Sequence, residues 1–166
     1  MCWTSTTTKA LAAKFKVPPQ RVLIVCKGNI CRSPTVAVVL HEKIKARKLN
    51  IEIDAAGTED YHVGSPPDKR SIRHAAKRGY DLSRRRARQV TPADFESFDL
   101  ILAADESNIE ELQRLCPAEH RAKLTLFLGT RELPDPYYGG AEGFETVLNL
   151  TEERAEFLVN LWLKTN

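Results

Sequence analysis

At 166 residues, 42% hydrophobic and 28% charged, the chain has the size and balance of one globular domain with its own core, which excludes a disordered or fibrous protein. No apolar run is long enough to span a bilayer, and a formal net charge of +3 is too small to argue for nucleic acid. The four cysteines, Cys2, Cys26, Cys31 and Cys116, and four scattered histidines make neither a disulfide framework nor a zinc pattern, which points to a reducing, cytoplasmic compartment and to no metal.

Residues 1–20 read as an N-terminal extension, with Lys9, Lys14 and Lys16, no acid and a Ser/Thr-rich start. A transit peptide would show arginine and a cleavage site; a frayed segment or a short helix over 9–16, with Leu11 and Phe15 packing, fits better. Pro18-Pro19 marks the start of a single folded domain over 21–166. The apolar run Val22-Leu23-Ile24-Val25 predicts a buried strand over 21–25. Ser33-Pro34 reads as a helix start, Ser as N-cap and Pro in the first position. That helix runs over 34–48, with Val36, Val39, Leu40 and Ile44 at helical spacing and Lys43, Lys45 and Arg47 near its C-terminal end. A strand over 51–55 completes a βαβ unit, hence a parallel sheet with a right-handed crossover. Next come a loop over 57–67 carrying Tyr61 and His62, a helix over 68–78 stopped by Gly79, and a basic connection over 82–89. A strand over 98–103, an acid-rich helix over 106–115 and a strand over 124–128 follow. A Pro/Gly-rich loop over 132–142 leads into a closing helix over 144–164, whose apolar set is Val147, Leu148, Phe157, Leu158, Leu161 and Trp162.

Charge is uneven along this order. Residues 69–88 hold nine basic residues and one acid, and residues 94–119 hold eight acids and one arginine. These read as two solvated faces, the basic one being alternatively a docking surface for acidic phosphoprotein segments. The expected fold is α/β: four short parallel strands, doubly wound with helices on both faces, in flavodoxin-like order. Ligands of such sheets sit beyond the carboxyl ends of the strands, where Cys26 falls.

The stretch V-C-K-G-N-I-C-R-S-P at 25–34 joins a strand end to a helix N-terminus, a place where unpaired N–H groups and the helix dipole favour an anion. Gly28 and Asn29 are residue types that take positive φ. Cys26 is the candidate nucleophile, since the thiolate is the attacking form and a ring of N–H groups beside Arg32 favours it. A helix dipole supplies at most about 2 kcal/mol, so charge-assisted hydrogen bonds from the loop must supply the rest. Arg32 would grip two phosphoryl oxygens with its planar fork, and Ser33 would donate its hydroxyl to the sulfur. In Leu133-Pro134-Asp135-Pro136-Tyr137-Tyr138-Gly139, Asp135 is placed to protonate a leaving phenol and then to activate water. Without the cysteine loop, Pro-Asp-Pro is only a turn.

The string Cys26, Gly28, Asn29, Cys31, Arg32, Ser33, Pro34, together with D-P-Y-Y-G at 135–139, resembles the signature of the low-molecular-weight protein tyrosine phosphatases. The resemblance runs from about residue 22 to the C-terminus, through Asp54, Ala56, Gly57 and Thr58, Ala87-Arg88-Gln89, and Asp105-Glu106-Ser107-Asn108. It implies cofactor-independent hydrolysis of phosphomonoesters through a cysteinyl-phosphate, with tyrosine-phosphorylated proteins as substrates and acid-phosphatase-like activity on aryl phosphates. It also implies inhibition by phosphate and vanadate, and a monomer or weak homodimer. Cys26, Arg32 and Asp135 would be catalytic. Lys27, Gly28, Asn29, Ile30, Cys31 and Ser33 would cradle the phosphate, and Tyr61, Tyr137 and Tyr138 would wall the slot. Ile30 resembles the apolar loop residue of tyrosine enzymes, where arginine phosphatases tend to carry Thr. Cys31 is expected to trap an oxidised Cys26 as a reversible disulfide. Three departures stand out: Ala55 for a usual Ser, Arg85 for a common His, and Ala37 for a usual Glu. Arg85 or a water is expected to fill the missing place beside the loop. The alternatives are an arsenate reductase on the same scaffold, for which Cys116 is a poor relay thiol, and a phosphate-binding module with a weakened site.

Overall fold

Four apolar stretches set the sheet: β1 (Arg21–Cys26), β2 (Glu52–Gly57), β3 (Leu100–Ala103) and β4 (Leu124–Leu126). They lie in the order β2-β1-β3-β4 with every neighbouring pair parallel, the expected flavodoxin-like arrangement. The structure is a computed structural model that describes residues 18–165; the helix expected over 9–16 and most of the expected extension lie outside the described residues. β1 is central, and its residues pack on both faces. Val22 and Ile24 join one core with Leu100 and Leu102, while Leu23 and Val25 join another with Ile101 and Ala103. Burial on both faces is why its sequence is a continuous apolar run rather than an alternation.

Among the described residues, five helices cover the two faces: α1 (Arg32–Ala46), α2 (Lys69–Ala76), α3 (Pro92–Ser97), α4 (Glu106–Leu115) and α5 (Ala141–Lys164). The first core takes Val36, Val39, Leu40 and Ile44 of α1 and Val147, Leu148, Leu158 and Trp162 of α5. The second takes Phe95 of α3, Phe98, and Leu112 of α4.

Several boundaries differ from expectation. α1 starts at Arg32 with Cys31 as its N-cap and no side-chain cap, so Ser33 is inside the helix rather than capping it; its hydroxyl is engaged elsewhere, at Cys26 and Asn29. α1 ends at Ala46, and Lys48 turns the chain with a φ of 56°. α5 begins at Ala141, three residues earlier than its apolar set indicates. Phe157 is 53% exposed, lying under Arg154 on the solvent side. α3 and a 3₁₀ turn over Ala118–Lys123 were not expected. The signal for α3 is local: Thr91 and Asp94 form a capping box, with Pro92 in the first turn.

Candidate active site

The carboxyl end of β1 delivers Cys26 beside Gly57 of β2, and the chain then turns back through residues 27–31 into α1. Gly57 has to be glycine: a Cβ there would stand 2.7 Å from the carbonyl of Lys27 and 3.1 Å from the Asn29 nitrogen. Asn29 takes a φ of 57°, as its residue type allows.

Four of the loop carbonyls are satisfied by groups outside the pocket. Cys26 O, Lys27 O and Ile30 O accept from the N–H groups of Thr58, Glu59 and Asp68 at 3.0, 2.9 and 2.8 Å, and Cys31 O accepts from Thr35 Oγ1 at 2.7 Å. Among the described residues the N–H groups of Gly28, Ile30 and Cys31 have no protein acceptor. Together with the start of α1 they form a cradle for an oxyanion.

Two groups address the sulfur. The N–H of Asn29 points to Cys26 Sγ at 3.3 Å, and Ser33 Oγ lies 3.1 Å from it. Asn29 Nδ2 donates to Ser33 Oγ at 2.6 Å while Asn29 Oδ1 accepts the N–H of Arg88 at 3.0 Å. That arrangement fixes the amide orientation and leaves the single hydroxyl proton of Ser33 with two acceptors, the sulfur at 3.1 Å and the more distant Ala56 carbonyl at 3.5 Å. The place expected for the Arg85 side chain or a water is therefore taken by the main chain of Arg88, which holds the Asn29 amide. The Arg85 guanidinium turns instead to Asp54, at 3.5 Å, across a cleft of about 160 Å³ that Ala55 leaves open beside Asn29.

Arg32 is 3% exposed. Its Nη1 donates to Asp105 Oδ2 at 2.7 Å and to the carbonyl of Leu133 at 3.0 Å, and Nη2 lies 3.6 Å from Asp135 Oδ2. Burial works against its charge, but Cys26, then Asp105 and Asp135, outweigh burial and raise it above the ordinary arginine value. Asp105 is able to serve because it also caps α4, its Oδ1 accepting from Asn108 N at 2.8 Å. With Nη1 committed to the scaffold, Nε and Nη2 remain for a ligand in the pocket.

The pocket has a volume of about 200 Å³ and is lined by Cys26, Lys27, Gly28, Ile30, Cys31, Arg32, Tyr61, His62, Asp135, Tyr137 and Tyr138. Every residue expected at the site is brought here, Asn29 and Ser33 lying beneath the floor rather than in it. Tyr137 and Tyr138 meet edge to face at 4.9 Å. Four contributors were not expected. His62 packs on Gly28, where a Cβ would meet its Cδ2 at 2.9 Å; Gly57, Asp105 and Arg88 act from beneath. Among the described residues no group of His, Cys, Asp and Glu is arranged to hold a metal ion, and no helix is long and apolar enough to cross a membrane.

The comparisons agree with this geometry. The family profile described as low molecular weight phosphotyrosine protein phosphatase matches residues 21–165. The Drosophila melanogaster low molecular weight phosphotyrosine protein phosphatase 1 is 42% identical over 136 residues, covering 76% of this chain and 86% of that protein. The Homo sapiens low molecular weight phosphotyrosine protein phosphatase is 38% identical over 135 residues, covering 76% and 85%. Among solved structures, a protein tyrosine phosphatase from Entamoeba histolytica with Hepes in its active site superposes with a TM-score of 0.83 at 36% identity, over 87% of this chain and 97% of that one. A low molecular weight phosphotyrosine phosphatase from Vibrio cholerae gives 0.83 at 38% identity over the same shares. With the profile spanning nearly all of the described chain and the loop geometry in place, the chain belongs to the low molecular weight phosphotyrosine protein phosphatase family.

Proposed function

We propose that the protein hydrolyses phosphotyrosine in proteins, and aryl phosphates generally, through a cysteinyl-phosphate on Cys26. The observation that carries this reading is the placement of Cys26 Sγ on the pocket floor, met by the Asn29 N–H at 3.3 Å and 3.1 Å from Ser33 Oγ, with the Asp135 carboxylate 3.6 Å from Arg32 Nη2. The phosphoryl oxygens of the dianion lie against the N–H groups of the loop and the free edge of Arg32. The Cys26 thiolate attacks phosphorus; the bond to the phenolic oxygen breaks, and that oxygen takes the proton of Asp135. Water, losing its proton to the Asp135 carboxylate, then attacks the phosphocysteine. The phosphorus–sulfur bond breaks, returning the thiolate and releasing inorganic phosphate.

Tyr61, Tyr137 and Tyr138 line the pocket mouth with aromatic surface, which supports an aryl leaving group over a small alkyl one. An anion-binding floor makes phosphate and vanadate inhibitors. A free-thiol nucleophile also supports a reducing, cytoplasmic location, and Cys31 in the same loop is read as the thiol that traps an oxidised Cys26. The arsenate reductase alternative loses ground on the position of Cys116, which packs in the second core and donates to Pro117 O at 3.3 Å instead of lining the pocket.

The test is turnover of a phosphotyrosyl peptide and of 4-nitrophenyl phosphate by the purified chain. Cys26→Ser is expected to lower the rate by at least about 10³-fold, while acid quenching of the wild type yields phosphate bound at Cys26. Residual turnover near the wild-type rate in Cys26→Ser would sink the proposal.

A further inference from the structure

The loop that carries Asp135 is fastened at its start by Leu133 and packed at buried Pro136 beside Cys31 and Phe144, and it has few hydrogen bonds along its working length. Leu133 is fully buried; its N–H donates to Ala104 O at 2.8 Å and its carbonyl accepts from Arg32. Past it, Pro134 and Pro136 have no N–H to give, and Tyr138 is 88% exposed. Among the described residues, a single hydrogen bond reaches residues 135–138 from outside the loop: Arg70 Nη2 donates to the carbonyl of Tyr137 at 3.0 Å.

Arg70 is itself held on several sides. Nε and Nη2 grip the two carboxylate oxygens of Asp68 at 3.1 and 2.9 Å. The guanidinium lies 4.7 Å from the ring centre of Phe144 on α5 and 5.6 Å from that of Tyr137. Asp68 is the N-cap of α2, and its own N–H donates to Ile30 O of the cysteine loop at 2.8 Å. Contacts therefore run from Ile30 through Asp68 and Arg70 to Tyr137, and the Tyr137 N–H returns to Asp135 Oδ1 at 3.1 Å. Proton transfer to a leaving oxygen requires the loop bearing the acid and the loop bearing the phosphoryl group to be in register. Both are fastened to one arginine–carboxylate unit.

We propose that Arg70 is the positioning residue of the acid step, setting where the Asp135 carboxyl stands relative to the cysteine loop. This rests on the reading of Asp135 as proton donor. Arg70 does not line the pocket, and its charge is answered by Asp68, so it acts through placement and not through its field. The planar fork matters: one guanidinium grips a carboxylate with two N–H groups and still reaches a carbonyl, whereas an ammonium is a point charge without that fixed geometry. Displacing a reacting group by about 1 Å costs on the order of 10²-fold.

The experiment measures kcat/KM, which reports cleavage of the phenolic bond before the common cysteinyl intermediate breaks down. The substrates are 4-nitrophenyl phosphate, whose phenol leaves readily, and phenyl phosphate, whose phenol needs the proton. Arg70→Ala is expected to lower kcat/KM for phenyl phosphate about 10-fold or more and that for 4-nitrophenyl phosphate by no more than about 3-fold. Arg70→Lys falls between. Asp135→Asn shows the same selectivity in larger measure, and the double variant is no slower than Asp135→Asn alone, because the two residues serve one step. Equal loss on both substrates in Arg70→Ala, or a further loss of the full Arg70→Ala factor on top of Asp135→Asn, overturns the role of Arg70 while leaving Asp135 in place. Equal loss on both substrates in Asp135→Asn removes the acid assignment, and the positioning role with it. Binding of inorganic phosphate, read by titration calorimetry, stays within about 3-fold of wild type in Arg70→Ala if only placement of the acid has changed.

Discussion

Two thiols five residues apart in one loop occupy opposite environments. Cys26 is met by the Asn29 N–H and the Ser33 hydroxyl at the pocket floor. Cys31 occupies the N-cap position of α1 without capping it, and burial pushes its thiol up to about 12, only partly offset by its hydrogen bond with Ser71. In the resting protein Cys31 is therefore a protonated, weak nucleophile and does not compete for substrate phosphorus. The same protonation bears on the proposed role of Cys31 as a resolving thiol, on which the following steps rest. Peroxide oxidises Cys26 to the sulfenic acid; attack by Cys31 then forms the sulfur–sulfur bond and expels water, at a rate that follows the small thiolate fraction. The expected outcome is a Cys26–Cys31 linkage in non-reducing peptide mass spectrometry, forming faster as pH rises from 7 to 9. Activity returns on adding dithiothreitol. In Cys31→Ser the same treatment leads to sulfinic acid at Cys26 with no recovery. Full recovery of Cys31→Ser after prolonged peroxide would remove Cys31 from this role.

At the scale of elements, α5 closes the first core, and Trp162 is its deepest anchor, fully buried with an indole N–H that finds no acceptor among the described residues. An unpaired buried donor costs roughly 1–3 kcal/mol, while truncating a buried Trp to Ala costs about 3–5 kcal/mol through lost burial and the cavity left behind. Trp162→Phe removes the orphaned donor and leaves only part of that cavity, so the two effects oppose. Urea denaturation is expected to place Trp162→Phe within about 1 kcal/mol of wild type and Trp162→Ala about 3–5 kcal/mol below it. A loss in Trp162→Phe as large as that in Trp162→Ala would mean that the N–H is answered after all.

The same elements show what a sequence carries. β1, α1 and α5 are legible because burial on one face or both leaves a local period in the residues that build them. The cysteine loop and Asp135 are legible because their chemistry sits in contiguous strings. α3 is six residues long, too short to show a period, although its capping box is written at Thr91 and Asp94. The support of the site is legible least. Arg32 finds Asp105 across 73 positions, Asn29 finds the Arg88 N–H across 59, and Arg70 finds Tyr137 across 67. Each pairing exists only once the sheet order has brought distant loops to one edge. Phe157 marks the reverse case: it is apolar, yet at helical spacing it falls on the side of α5 away from the buried stripe of Val147, Thr151, Leu158 and Trp162, and is exposed.

Across the whole molecule, carboxylates tie the parts that the sheet alone leaves independent. Asp94 joins α3 to the 87–89 segment, accepting both arms of Arg88 at 2.9 and 3.1 Å and the Thr91 N–H at 2.8 Å. Arg88 reaches on to Asp54 of β2, and Glu145 of α5 meets His74 and Arg78 of the segment around α2. Burial on its own would raise the Asp94 carboxyl; the Arg88 fork and the Thr91 N–H outweigh it and hold Asp94 below the ordinary aspartate value. Glu145 is likewise lowered, by His74 and then Arg78. A carboxyl whose folded value is depressed binds fewer protons folded than unfolded, so its contribution is complete above the ordinary value, about 4, and drains away as pH falls through the folded value. Stability is therefore expected to decline from about pH 5 downward, with Asp94 among the groups responsible. Asp94→Asn should cost about 1–3 kcal/mol at pH 7, through loss of the charged fork to a part-buried arginine. It should also fall less steeply than wild type between pH 5 and 3, so that the two curves of urea midpoint against pH converge in acid. Curves that stay parallel over that range would mean that Asp94 titrates alike folded and unfolded, and that the acid lability of the fold resides in other carboxylates.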